Sequence, residues 1–229
     1  MRGLVSTWGF AMGISKKDVL AVVLLASVVA GCASQQVAKR GQADEVTLLT
    51  GEGNAVPLRE LWRGHRATVL IFWSANCPCV RRYQDRVETL LERYQAKGVA
   101  VFGVSSNADE TFAEVKRAAS ARGIRLPIVR DEGGLLAQAS GVRSTPTVVL
   151  LDEWGETRFV GWLDNERTPG EPDREPWLEL ALRGVLENRS GFATRTPVYG
   201  CTIARRLFGA TQGHSCIAPN EPSKSRSRN

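Results

Sequence analysis

"ATVLIFWSANCPCVRRYQDRVETLLERYQAKG", residues 67–98, changes its period halfway along. Its first seven residues are apolar apart from Thr68, the composition a strand needs when both of its faces are covered. From Val80 onward the apolar positions fall at Val80, Tyr83, Val87, Leu90, Leu91 and Tyr94, one face of a helix that Gly98 ends. Cys77 and Cys79 flank Pro78 at the junction. Proline suits the first helical turn, where its missing N–H costs nothing. The unpaired N–H groups at a helix start stabilise an anion, and a thiolate is such an anion. Arg81 and Arg82 lie close enough to add positive potential, although exposed arginines at this spacing are ordinary solvent contacts too.

Outward from this junction the pattern alternates. Short strands are expected at 46–50 and 56–58 around the turn "GEGN", and another at 99–106. Asn107 with Glu110 reads as a capping pair for a helix over 108–122, with Phe112, Val115 and Ala119 buried. A short strand at 126–131 and a short helix in "GLLAQASG" follow, then a hairpin of 147–152 and 157–163. A last amphipathic helix over 175–189 turns Trp177, Leu180, Ala181 and Val185 inward. Beyond Arg189 no period survives, and 218–229 reads as disordered. The order implies an α/β fold with a central mixed sheet and helices on both faces.

The N-terminal residues read differently. Lys16 and Lys17 precede an apolar run from Val19 that is too short to span a bilayer and has the form of an export signal. Its end, Val29-Ala30-Gly31-Cys32, resembles the lipobox of bacterial lipoproteins, which implies lipidation of Cys32; Met12 is a second plausible start. The bland reading leaves Cys32 as one small residue of an uncleaved anchor. The expected organisation is signal 1–31, tether 32–44, domain 45–190 and a basic, cysteine-containing tail 191–229. Ala33 and Ser34 after the lipidated cysteine slightly favour the outer over the inner membrane. Outside the cytoplasmic membrane disulfides persist, and a thiol pair needs an external partner to reset it.

The net charge of +6 is concentrated at the two ends, so the body is nearly neutral and lacks the basic face of a nucleic-acid binder. No cofactor-type glycine loop is present, because "GEGN" is not followed by a helix pattern.

"VLIFWSANCPCV" together with "GVRSTPTVVLLDEWGE" (141–156) resembles the thioredoxin-like superfamily, in particular its redoxin, thiol-specific antioxidant and membrane-anchored TlpA-like members. The resemblance covers about residues 45–190. It implies a thioredoxin-like fold, a cis peptide bond at Thr145-Pro146 lying against the active cysteine, and Cys77 as nucleophile in thiol-disulfide exchange. Trp73, Ser74 and Pro78 are the implied supports of the site. Protein thiols or disulfides, or else hydroperoxides, are the implied substrates, with an external thiol reductant or oxidant as partner.

The chain departs from the family pattern at Val80, which stands where the resolving cysteine is expected. Cys79 is nearest in sequence to take the role, but a bridge between residues i and i+2 closes a strained ring that helical backbone does not allow. Cys201, in "TPVYGCTI", resembles a C-terminal Gly-Cys segment of some redoxin-like chains and is the second candidate, and an external thiol the third. Cys216 reads as a staple for Cys201. The Ser-x-x-Cys of Ser74 and Cys77 resembles the peroxiredoxin signature but lacks its proline, Leu70 standing there; a hydroxyl bonded to local backbone explains Ser74 equally well.

A buried cysteine is most often packing, yet two around a proline at such a junction, upstream of Thr-Pro, are poorly explained that way. Trp73, Trp154 and Trp162 are expected as core and rim aromatics, and His65 as a solvated loop residue. Copper carriage is the rival reading, since two thiolates suit Cu(I). The region that would offer a histidine donor has none, and His214 lies in the tail, so no metal and no cofactor is expected.

Overall fold

The computed structural model describes residues 45–166, 170, 172–207, 210–211 and 216–217 of the chain, with backbone alone from 206 onward. The expected signal, Cys32, the tether and the segment 218–229 lie outside the described residues. Among the described residues no helix is long and apolar enough to cross a membrane.

Strand β3 (Ala67–Phe72) is buried at every residue. It lies inside a seven-stranded sheet with β1 (Thr47–Leu49), β2 (Ala55–Pro57), β4 (Val99–Ser105), β5 (Ile128–Arg130), β7 (Thr147–Asp152) and β8 (Thr157–Gly161), in the order β2-β1-β5-β4-β3-β7-β8. β3, β4 and β5 run parallel, while β7 returns antiparallel beside β3 and pairs with β8 in the expected hairpin.

Successive side chains of a strand point to opposite faces, and β3 shows the consequence. Val69 and Ile71 pack with Val87, Leu90 and Tyr94 of helix α2 (Pro78–Gln95) and with Leu178, Leu182 and Val185 of α5 (Trp177–Leu186). Leu70 and Phe72 pack on the other face with Leu61 of α1 (Arg59–Trp62) and with Leu136 and Ala137 of α4 (Leu135–Ala139). Each fully buried leucine or phenylalanine contributes roughly 2 kcal/mol, so both faces hold the sheet.

Two local expectations change. Helix α3 spans Phe112–Ala121, and Thr111 is its cap: its hydroxyl accepts from the Glu114 N–H while the Glu114 carboxylate accepts from the Thr111 N–H. Asn107 and Glu110 are buried instead, both engaged by distant segments. In α5 the inward stripe is Leu178, Ala181, Leu182 and Val185, whereas Leu180 is 39% exposed and Trp177 is half-buried. Trp73 and Trp162 are buried, and Trp154 is exposed at the hairpin turn.

The largest difference is the tail. Although it has no period, residues 191–205 lie on the domain. Phe192 packs on Gly184, where a Cβ would meet its ring. The Val160 N–H donates to the Thr194 carbonyl at 2.9 Å and the Thr196 N–H to the Val160 carbonyl at 3.2 Å. Tyr199 then packs against Trp162 with ring centroids 4.6 Å apart and planes tilted by 57°, and Trp162 against Tyr83 at 4.6 Å and 56°. Strand β9 (Gly200–Thr202) pairs antiparallel with the two-residue strand β6 (Ser144–Thr145), setting Cys201 opposite Thr145. Two further backbone bonds, from the Ile203 N–H to the Arg143 carbonyl and from the Ala108 N–H to the Ala204 carbonyl, follow, and the Ala204 N–H donates to the Asn107 side-chain oxygen.

Candidate active site

Cys77 is the residue before α2, with extended backbone, and Pro78 opens the helix as expected. Cys77 is fully buried, Pro78 exposed and Cys79 half-buried. The Thr145-Pro146 peptide bond is cis, as the resemblance implied. Thr145 stands against the thiol: the Cys77 Sγ lies 3.2 Å from the Thr145 carbonyl oxygen. The Thr145 hydroxyl is buried and has no hydrogen-bond partner among the described residues.

The third sulfur comes from the tail. Cys201 is buried, and its Sγ lies 2.6 Å from that of Cys77, within reach of disulfide formation. The sulfurs of Cys77, Cys79 and Cys201 all lie within 4.8 Å of one another. Around them stand Trp73, Ala75, Val80, Val115 and Ala119, an apolar setting that keeps water from the Cys77–Cys201 contact. β10 (Cys216–Ile217) pairs antiparallel with β9 in a register that sets Cys216 opposite Cys201 in the backbone.

The loop before Cys77 is held by a residue that local pattern reading misassigns. The buried Glu110 carboxylate accepts from the Ser74 hydroxyl at 2.6 Å, the Asn76 N–H at 2.9 Å and the Ala75 N–H at 3.3 Å. These bonds fix Ser74–Asn76 and hence the direction from which Cys77 enters the site. Ser74 thus donates its proton to Glu110, away from the role of polarising a peroxide. Arg122, at the end of α3, donates to the Ala75 carbonyl from one nitrogen and places its guanidinium carbon 5.5 Å from the Trp73 ring centre. Its other terminal nitrogen is buried without a hydrogen-bond partner among the described residues. Burial pulls the Arg122 guanidinium below the usual arginine range, Arg81 acts in the same direction and Glu110 opposes them.

Behind the aromatic stack lies an ionic network. Arg86 reaches Asp164 at 2.5 Å and Glu166 at 2.6 Å, Arg174 reaches Asp164 at 2.9 Å, and both carboxylates are buried. The Arg86 guanidinium also covers the Tyr83 ring at 4.1 Å, and the Tyr83 hydroxyl donates to the Glu166 carbonyl at 2.6 Å. This network backs the ring that holds Trp162, and so the tail.

A thiol at a helix start, against a cis proline and beside a second sulfur, has the geometry that thiol chemistry requires. The chain matches the Redoxin family over residues 36–175, more than half of its length. It belongs to the Redoxin family. This redoxin is 35% identical over 125 residues, 54% of its own chain and 69% of the relative, to the thiol-disulfide oxidoreductase ResA of Halalkalibacterium halodurans. It is similar in structure to an uncharacterized conserved protein from Geobacillus kaustophilus, with TM-score 0.64 and 26% identity over 74% of this chain and 92% of that one. A hypothetical protein from Sinorhizobium meliloti 1021 gives TM-score 0.62 and 27% identity over 71% and 91% of the two chains. The redoxin has the thioredoxin-like fold and is an oxidoreductase of the thiol-disulfide type, with a Cys-x-Cys pair at its helix start.

Proposed function

We propose that this redoxin is an exported, lipid-anchored thiol-disulfide oxidoreductase whose nucleophile is Cys77 and whose resolving thiol is Cys201. The 2.6 Å approach of the two sulfurs carries the reading. Cys79 follows on the same helix, where a bridge to Cys77 would require the first turn to unwind. The Cys77 thiolate attacks one sulfur of a substrate disulfide, and the first substrate thiolate leaves. The Cys201 thiolate then attacks the Cys77 sulfur, the second substrate thiolate leaves, and the protein keeps a Cys77–Cys201 disulfide. Two electrons have passed to the substrate, and an external dithiol restores them.

Lys16, Lys17, the apolar run and Cys32 support the anchor. Fatty-acid labelling of the intact cell envelope tests it: label lost in Cys32→Ala supports the anchor, and label retained overturns it.

The exchange reading is tested by mass mapping of alkylated variants incubated with a disulfide-bonded protein. Cys77→Ser abolishes exchange, Cys201→Ser accumulates the mixed disulfide on Cys77, and Cys79→Ser stays close to wild type. Accumulation in Cys79→Ser instead would transfer the resolving role to Cys79. Consumption of a hydroperoxide faster than of the protein disulfide would replace exchange by peroxide reduction.

A further inference from the structure

The rival copper reading lacks a third donor near Cys77 and Cys79 in the sequence, and the fold brings Cys201 to them. We propose that the reduced protein holds a single Cu(I) ion in a trigonal site made by the sulfurs of Cys77, Cys79 and Cys201. This assignment rests on the geometry of the thiols and not on the exchange reaction.

The donor set selects the ion. Three thiolates are soft ligands that favour Cu(I) or zinc among first-row metals. Structural zinc takes four protein ligands in a tetrahedron, whereas the cluster of described side chains holds three sulfurs and no histidine or carboxylate. Metal–sulfur bonds of about 2.3 Å in a trigonal plane need sulfurs about 4 Å apart. The three present all lie within 4.8 Å of one another. The Cys77–Cys201 pair, at 2.6 Å, has to open.

The surroundings suit an ion of this kind. Cys77 and Cys201 are buried, so two donors are dry, while half-buried Cys79 leaves one side for entry and departure. One Cu(I) with three thiolates carries a charge of about −2. The N–H groups at the start of the 18-residue α2 oppose it. So does the Arg122 guanidinium beside Trp73 and Ala75, one of whose nitrogens is buried without a hydrogen-bond partner among the described residues. On binding, each thiol gives up its proton to solvent and no electron moves.

The site and the disulfide exclude one another, because both use Cys77 and Cys201. Oxidation therefore expels the ion, and the ion protects the thiols.

The full chain, reduced under anaerobic conditions, is titrated with Cu(I) supplied as its bicinchoninate complex, and loss of the chelator's colour is read. One ion per chain is expected. Cys79→Ser and Cys201→Ser should each weaken retention by more than the roughly 10- to 100-fold that loss of an outer-sphere partner costs. Cys216→Ser should leave retention unchanged, and protein carrying the Cys77–Cys201 disulfide should take up no ion until reduced. X-ray absorption of the loaded wild-type protein should count three sulfurs, a readout that needs no variant to fold. Two sulfurs, wild-type retention in Cys201→Ser, loss in Cys216→Ser, or retention of Zn(II) in preference to Cu(I) would each overturn the assignment.

Discussion

Gly200 crosses the Thr145 peptide so closely that a Cβ on it would stand 2.0 Å from the Thr145 carbonyl oxygen and 2.7 Å from the carbonyl carbon. Both are backbone atoms and cannot swing aside. Any side chain at position 200 therefore pushes β9 off β6, and Cys201 away from Cys77.

Gly200→Ala is accordingly expected to lower stability by about 1–3 kcal/mol, the usual cost of overpacking, and to slow closure of the Cys77–Cys201 disulfide. Alkylation of Cys77 should become faster in the same variant. A wild-type alkylation rate would show that the strand stays docked without its glycine.

Glu110 holds three donors of the loop that presents Cys77. Replacing it by alanine takes the acceptor from the buried Ser74 hydroxyl and the buried Ala75 N–H, while the Asn76 N–H keeps the Ser74 Oγ at 3.3 Å, at a cost on the order of 3 kcal/mol. Glu110→Gln keeps one acceptor oxygen and should cost less. Denaturant midpoints of the two variants check the order, and a silent Glu110→Ala would refute the anchoring role.

Arg86 neutralises two buried carboxylates, Asp164 and Glu166, with Arg174 as a second partner for Asp164. Removing one partner of a buried pair leaves uncompensated charge, so Arg86→Met should destabilise by roughly 3 kcal/mol. Arg86→Lys keeps the charge but not the fork geometry and should fall between. Because Arg86 also covers Tyr83, the Arg86→Met protein should show altered tryptophan fluorescence from Trp162, whose ring packs on Tyr83.

Burial pushes the Tyr83 phenol from 10.0 up to about 12, against a smaller downward pull from Arg86. The unfolded chain releases this proton near pH 10 and the folded chain does not, so unfolding gains a proton release between the two values. Stability drawn from Tyr83 is complete below about pH 10 and is lost as pH rises toward 12. Ultraviolet titration should find Tyr83 among the late-ionising tyrosines, since burial raises Tyr94 as well, and Tyr83→Phe should remove one late step while Tyr94 keeps its own. Normal titration of all three tyrosines would contradict the buried setting.

Much of the frame is legible in the chain. The continuous apolar run of β3, the helix stripe after Pro78, the hairpin and Thr145-Pro146 all follow from local composition or from resemblance. What is missed depends on distant partners. Asn107 with Glu110 and Thr111 with Glu114 carry the same polar-to-glutamate spacing, and only burial against Ser74–Asn76 decides between them. In "WLELALRGVL" two overlapping stripes are apolar, and the side that meets β3 is chosen by the sheet. The tail has no period because separate hydrogen bonds and one aromatic stack hold it, so its signal is the lone Gly-Cys of residues 200–201.

The pairing of β9 with β6 also bears on what reaches Cys77. The occupant of that edge is tethered to α5 through residues 187–199, so its effective concentration is in the millimolar range that a short linker gives. A protein substrate must displace this resident strand before its own cysteine meets the thiol. Abundance alone therefore selects poorly among partners; they are ranked by how well an extended segment outcompetes Gly200–Thr202 for the backbone groups of Ser144 and Thr145.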